Sequence, residues 1–361
     1  MKPKALPVLL TVLMASSAAH SQSSVTIAGA LDTFAGRRQL SGGPQLTRVE
    51  SGGMTTSQLV FNGVEDLGGG TRAEFLLGMF LRTDSGSPGR FDGDAFWGRG
   101  SYVGLANEYG TVRLGRQSTQ TFVNFIRTNS FGDSATFGPA FVQTWISAIG
   151  QGSQFLTPGA PPTSRTRTAA LGTTDTAWNN SITYASPNLG GLVMGAQWAS
   201  GNAAGVGNRF GASAFYASGP LNLSFALESI GNASVPASGP AAAVIAKQET
   251  YLLSAAYAFP WTRVSAGYFE TRRDYATIVD DKVKTAYVGA TIPIGPNAIM
   301  WQTAWSKQAP DSSASVRRTT TSLGYDHFMS KRTDLYAVYM RDHLTNNGNG
   351  NSVAVGIRHR F

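Results

Sequence analysis

Histidine, cysteine, activated serine and clustered glycines are the residues through which most protein chemistry passes, so their spacing comes first. Four histidines are present: His20, His327, His343 and His359. They are scattered and show none of the short ligand spacings of a zinc site. The chain has no cysteine, which removes thiolate ligands, a thiol nucleophile and a disulfide framework. No Gly-x-Ser-x-Gly lies between a strand and a helix, the arrangement that lifts a serine nucleophile. The glycine-rich "DLGGGTR" at 66–72 lacks the Lys-Ser/Thr pair and following helix of a phosphate loop and reads as a tight turn. No catalytic, metal or cofactor-binding residues are expected, and the chain is not expected to be an enzyme.

What remains is charge, in a chain otherwise sparing with it. There are 29 basic and 21 acidic residues, a formal charge of +8. Charged residues make up 14% of the chain, against about 25% in a soluble domain. A basic balance alone suits nucleic acid, a membrane surface or small anions. The placement of the charges is more telling. In "TRAEFLLGMFLRT" (71–83), Ala73, Phe75, Leu77, Met79 and Leu81 fall on one face of a strand. Arg72, Glu74 and Arg82 fall on the other. Val25, Ile27 and Leu31 likewise oppose Asp32 and Arg38, and Leu59 and Phe61 oppose Gln58 and Asn62. If the apolar face meets lipid, Arg38, Gln58 and Arg82 meet water inside a closed structure.

The elements that carry these faces are short alternating segments. Tight connections at 65–70, 107–110, 188–191, 218–220, 259–261, 295–297 and 329–333 alternate with long polar ones. The long ones fall at 39–55, 84–95, 118–177, 200–208, 231–247, 272–282, 307–316 and 343–351. The segments between them number about sixteen. Residues 1–21 have the layout of a secretory signal peptide: Lys2 and Lys4, an apolar run from Leu6 to Met14, then small residues before Gln22. No later run of 18 apolar residues could span as a helix. A membrane form must therefore be a closed barrel, because only helices and closed barrels satisfy every backbone polar group in lipid. The predicted fold is all-β: a transmembrane antiparallel β-barrel over 22–361, with short turns at one end and long loops at the other.

The connection 118–177 is too apolar for a solvated loop. Phe122, Phe125, Ile126, Phe131, Phe137, Phe141, Trp145 and Ile149 all call for burial. A loop folded into the lumen and packed against the inner wall resolves that conflict. Tyr102, Trp178, Tyr184, Trp198, Tyr257, Trp261, Tyr325 and Tyr336 lie near strand ends, where membrane-interface girdles would use them.

The stretches "GVEDLGGG" (63–70), "GTVRLGRQ" (110–117) and "GIRHRF" (356–361) together resemble the general diffusion porins of Gram-negative bacteria. The resemblance covers nearly all of 22–361 and is nearest to the branch found in Neisseria, Burkholderia and Comamonas relatives. It implies an outer-membrane homotrimer of sixteen-stranded barrels, each with its third loop in the lumen. It implies a basic ladder on the wall facing that loop, with Arg99 and Arg116 at two of its positions. Gln58 stands where many relatives carry a further arginine, and Arg38 and Arg82 are candidates to compensate. It also gives the terminal Phe361 a role as the signal to the outer-membrane assembly machinery.

Residues 118–174 hold one acid, Asp133, against Arg127, Arg165 and Arg167. A neck rich in arginine and poor in acids favours anions. The expected function is passive diffusion of small hydrophilic solutes, inorganic and organic anions preferred. The expected partners are outer-membrane lipid and lipopolysaccharide and further copies of the chain, with no nucleic acid. A channel specific for a dicarboxylate, phosphate or sugar is the alternative, and an outer-membrane barrel enzyme a more distant one.

Overall fold

The computed structural model describes residues 24–146, 175–201, 207–235, 243–276, 280–310 and 315–361. The expected leader, 1–21, lies outside them. Seventeen strands form one antiparallel sheet. They are β1 (Ser24–Arg38), β2 (Leu46–Ser51), β3 (Gln58–Gly68), β4 (Thr71–Phe80), β5 (Gly100–Asn107) and β6 (Gly110–Ser118). Then come β7 (Ala177–Ala185), β8 (Leu192–Ala199), β9 (Arg209–Ser218), β10 (Leu221–Val235), β11 (Ala243–Phe259) and β12 (Thr262–Tyr275). The last are β13 (Asp281–Ile294), β14 (Asn297–Pro310), β15 (Val316–Phe328), β16 (Thr333–Leu344) and β17 (Asn349–Arg360). From β3 to β17 each strand pairs with the next, β2 and β3 both pair with β1, and β17 returns to β1, where Ala30 faces Arg360 and Arg37 faces Val353. The sheet is a cylinder with no free edge, the arrangement lipid requires.

The cylinder has sixteen positions, because β2 and β3 share one. β2 pairs with the upper half of β1 and β3 with the lower half. Between them residues 52–57 leave the wall. Asp32 holds this break: its carboxylate accepts the amides of Gly53, Met54 and Thr55 at 3.0, 2.7 and 2.8 Å. It also accepts the Tyr336 hydroxyl across the closure. Gly53 must be glycine here, since a Cβ would fall on that hydroxyl.

Alternation sets the two faces. On β1, Val25 is 69% exposed and Ile27 59%, while Asp32 is fully buried. Leu31, Leu105, Val112, Leu114, Leu253, Leu323, Val355 and Ile357 continue the exposed apolar surface. The tight turns obey local chemistry: in the β3–β4 turn the Asp66 carboxylate accepts the Gly68 amide at 2.9 Å.

Two expectations need correction. The long connections are shorter than predicted. β2 lies inside 39–55, β10 and β11 extend to Val235 and from Ala243, and β12 and β13 reach Tyr275 and Asp281. The ladder goes on where both faces are polar, as in the Arg272–Lys282 and Gly231–Lys247 pairs. Alternation vanishes there, but backbone pairing does not. Three of the proposed girdle aromatics face inward instead: Trp178 and Tyr336 are buried, and Tyr102 lies under Arg113. Tyr184, Trp198, Tyr257, Trp261 and Tyr325 are exposed as expected.

Asp32 generates a prediction. Asp32→Ala leaves three buried amides without an acceptor, at about 1–3 kcal/mol each. We expect a loss of at least ~3 kcal/mol in urea-unfolding stability, with Asp32→Asn intermediate. An unchanged unfolding midpoint for Asp32→Ala contradicts the assignment.

Candidate functional site: the lumen constriction

The polypeptide after β6 turns into the barrel. Helix α1 (Gln120–Thr128) starts from Thr119, whose hydroxyl accepts the Phe122 amide at 3.3 Å. Glu228 of β10 receives the Thr121 amide at 2.8 Å and the Thr121 hydroxyl. A carboxylate at a helix N-terminus is favourable on both charge and hydrogen-bonding grounds. Phe125 packs against Phe269, Tyr287, Phe141 and Trp145, all buried. Farther on, Ser322 donates to the Phe137 carbonyl at 2.7 Å, and Gln143 bonds the Ala304 carbonyl and Thr320. The described part of the loop therefore lies on the inner wall from β8 round to β15. Phe125, Phe131, Phe137, Phe141 and Trp145 are buried, and Phe122 is half-buried on Phe141 and Trp145. Ile149, Arg165 and Arg167 fall outside the described residues.

The loop tip reaches the break between β2 and β3. Ser134 donates to the Gly53 carbonyl at 2.7 Å and Thr136 to that of Gly52 at 2.6 Å. Thr55 donates to the Asp133 carboxylate, 2.8 and 2.7 Å from its two oxygens. Burial pushes the Asp133 carboxyl above the usual carboxylate range, against the opposing pull of Thr55 and of the Arg358 and Arg99 charges.

Of the arginines that the resemblance pointed to, Arg99 lies against Gly78 just before β5. Its amide donates to the Gly78 carbonyl at 3.1 Å, and its guanidinium donates to the side-chain oxygen of Gln58. Gln58 thus orients Arg99; an arginine there would set two cations together. No carboxylate pairs with Arg99 among the described residues.

The other arginines, Arg116, Arg38 and Arg82, are each paired with a carboxylate. Arg116 is ion-paired with Asp175 at 2.6 Å and also donates to Asn179 and the Gly98 carbonyl. A register irregularity between Gly115 and Gln117 frees it from the outward phase of Val112 and Leu114. Asp175 also binds Arg90 at 2.9 Å, and Arg90 binds Asp94 at 2.8 Å. Burial opposes the charge of Asp94, yet Arg90 holds it below the usual range. Arg38 faces inward but shares Glu50 with Arg48, at 3.0 and 3.1 Å. That trio keeps one positive charge. Arg82 belongs to the β4–β5 connection and pairs with Asp92 at 2.6 Å.

Three inward arginines not singled out from the strand pattern join Arg99 in having no carboxylate partner among the described residues. Arg127 on α1 lies over the Phe215 ring at 4.4 Å. Arg263 of β12 donates to the Arg127 carbonyl at 2.7 Å. Arg209 of β9 shares its inward face with buried Gly211. Arg209 alternates with exposed Phe210, a signal the sequence carried. On the facing wall Arg113 pairs with Glu74 at 2.5 Å and covers Tyr102. Phe361 continues the closing ladder. Its carbonyl accepts the Gly29 amide at 3.0 Å, its amide donates back at 3.1 Å, and its ring covers Gly29.

The family profile described as Gram-negative porin matches residues 9–347. Outer membrane porin protein 32 of Delftia acidovorans is 32% identical over 340 residues, spanning 91% of this chain and 86% of the relative. An outer membrane porin protein of Bordetella pertussis is 25% identical, over 96% of each chain. Among solved structures, the anion-selective porin from Comamonas acidovorans superposes with a TM-score of 0.74 at 27% identity. It covers 94% of this chain and all of that one. OmpT of Vibrio cholerae, in its loop-deletion form, shares the fold at a TM-score of 0.69 and 13% identity, over 94% of this chain and 99% of that one.

Asp133 yields a prediction for the reconstituted barrel. Its proton affinity is raised, so as pH falls its charge is lost above the pH at which an ordinary carboxylate loses its own. The anion-to-cation permeability ratio is expected to rise over that window. Asp133→Asn should hold the higher ratio at every pH. A variant that still shows the full pH response contradicts the assignment.

Proposed function

The chain belongs to the Gram-negative porin family, and from that premise we propose that its outer-membrane channel prefers anions and works as a homotrimer. Porins are passive: solutes diffuse through a water-filled lumen, and no cofactor or energy input is needed. The observation that carries the anion preference is the charge left over after pairing. Arg99, Arg127, Arg209 and Arg263 face the lumen without carboxylate partners among the described residues. The described loop offers one acid, Asp133, already engaged by Thr55. Fixed cations at a narrow, poorly solvated neck lower the barrier for anions and raise it for cations. The anion selectivity named for the Comamonas relative supports the same reading.

The aromatic loop favours general diffusion over a sugar-specific channel. Phe125, Phe137, Phe141 and Trp145 are buried in the wall, so their faces are not offered to a passing solute. No catalytic role is proposed for any residue, and removal of 1–21 on export is part of this reading.

Planar-bilayer recordings in a KCl gradient test the proposal. The reversal potential should give an anion-to-cation permeability ratio above one. Arg99→Ala and Arg127→Ala should each lower it by up to about fivefold, the equivalent of ~1 kcal/mol. Insertion should add conductance in groups of three. Cation selectivity, or a ratio untouched in both variants, overturns the selectivity, and single-unit steps overturn the trimer.

A further inference from the structure

Outside the lumen, one patch has a charge that the fold itself does not balance. On the outer face of β13–β15, near the end with the long connections, Lys284 lies directly opposite Lys307, and Lys307 opposite Arg317. All three are exposed, while their chain neighbours Val283, Ser306 and Arg318 are buried toward the interior. Neighbouring strands run about 4.8 Å apart, so three cations stand side by side within roughly 10 Å. Like charges directly opposite one another in a sheet destabilise it. The nearest acid in register, Glu270, faces Lys284 but is engaged by Arg272 at 2.7 Å and Lys282 at 4.0 Å. None of the three cations has a carboxylate partner among the described residues.

The surroundings say what could sit there. One step toward the membrane on the same face come Tyr268 and Trp305, both exposed. Such aromatics mark the level where hydrocarbon gives way to headgroups. Below them the wall is apolar, with Trp301 and Leu323 exposed. A cleft of ≈ 350 Å³ joins the two levels, bounded by Lys284, Lys307, Arg317, Tyr268, Trp305 and Thr319. Its upper half is cationic and its lower half greasy.

We propose that this cleft binds the phosphate group of an anionic membrane lipid, whose acyl chains run down the wall over Trp305, Trp301 and Leu323. Guanidinium and ammonium groups are the usual phosphate partners, and the aromatic pair sets the headgroup at the right depth. The orientation rests on the porin reading, which puts the long connections outside the cell. The occupant is then a phosphorylated glycolipid of the outer leaflet. A bound phosphate would turn mutual repulsion among three cations into a bridge across β13, β14 and β15.

Native mass spectrometry of the detergent-purified protein, titrated with rough lipopolysaccharide, tests this without any conductance measurement. The wild type should retain lipid. Lys284→Gln/Lys307→Gln/Arg317→Gln should bind at least tenfold more weakly, and enzymatically dephosphorylated lipid should bind the wild type equally weakly. Lys331→Gln/Arg332→Gln, in the short turn at the opposite end, should bind as the wild type does. Heat-modifiable gel mobility confirms that each variant is folded. Equal binding by the triple variant, equal loss in the turn variant, or full retention of dephosphorylated lipid overturns the proposal. So does displacement by millimolar inorganic phosphate, which would mark a site for free anions. Any of these outcomes leaves the channel reading standing, because that reading is judged by ion flow.

Discussion

A backbone amide that faces hydrocarbon can bond only to the next strand. Every other feature of this molecule follows from that restriction. It requires β17 to come back to β1, and the ladder between them runs on to the Gly29–Phe361 pair. It forces successive side chains to opposite solvents, oil outside and electrolyte inside. Where the wall is interrupted, between β2 and β3, the freed amides must be satisfied some other way. The Asp32 carboxylate does this. The same break presents Gly52, Gly53 and Thr55 to the loop tip, so barrel closure and the constriction are joined at one point.

Within the lumen, pairing decides which charges matter. Arginines are numerous, but many are tied to carboxylates. Arg38 and Arg48 share Glu50, Arg90 and Arg116 share Asp175, and Arg113 has Glu74. These pairs hold side chains in place more than they set a field. The field comes from the remainder, whose partners are neutral: the Arg127 carbonyl for Arg263, the Phe215 ring for Arg127 and Gln58 for Arg99. Gln58 accepts from the Arg99 guanidinium without cancelling its charge.

The sequence made the outer surface legible because lipid imposes one rule on every strand. Val25, Ile27 and Leu31 needed no partner to be placed. The inward face obeys no such rule. Arg116 and Asp175 are 59 residues apart in the chain, and Arg90 and Asp175 are 85 apart. Only the closed barrel brings them together, so the neutralisation of Arg116 left no local trace. The strand ends were misread for a related reason. Above the membrane both faces meet water, and a polar ladder such as Arg272–Lys282 looks like a loop. Tyr336 and Trp178 near strand ends looked like girdle residues, because parity near a turn or a break depends on register that one sequence does not show.

The absence of native cysteine opens a direct test of the two-solvent rule. Single cysteines at 111, 112, 113 and 114 on β6 can be probed in liposomes with a charged maleimide and with a spin label confined to the acyl chains. Positions 111 and 113 should react with the maleimide and escape the spin label, and positions 112 and 114 should do the reverse. Uniform labelling along the strand, or the opposite phase, would contradict a barrel with water inside and lipid outside.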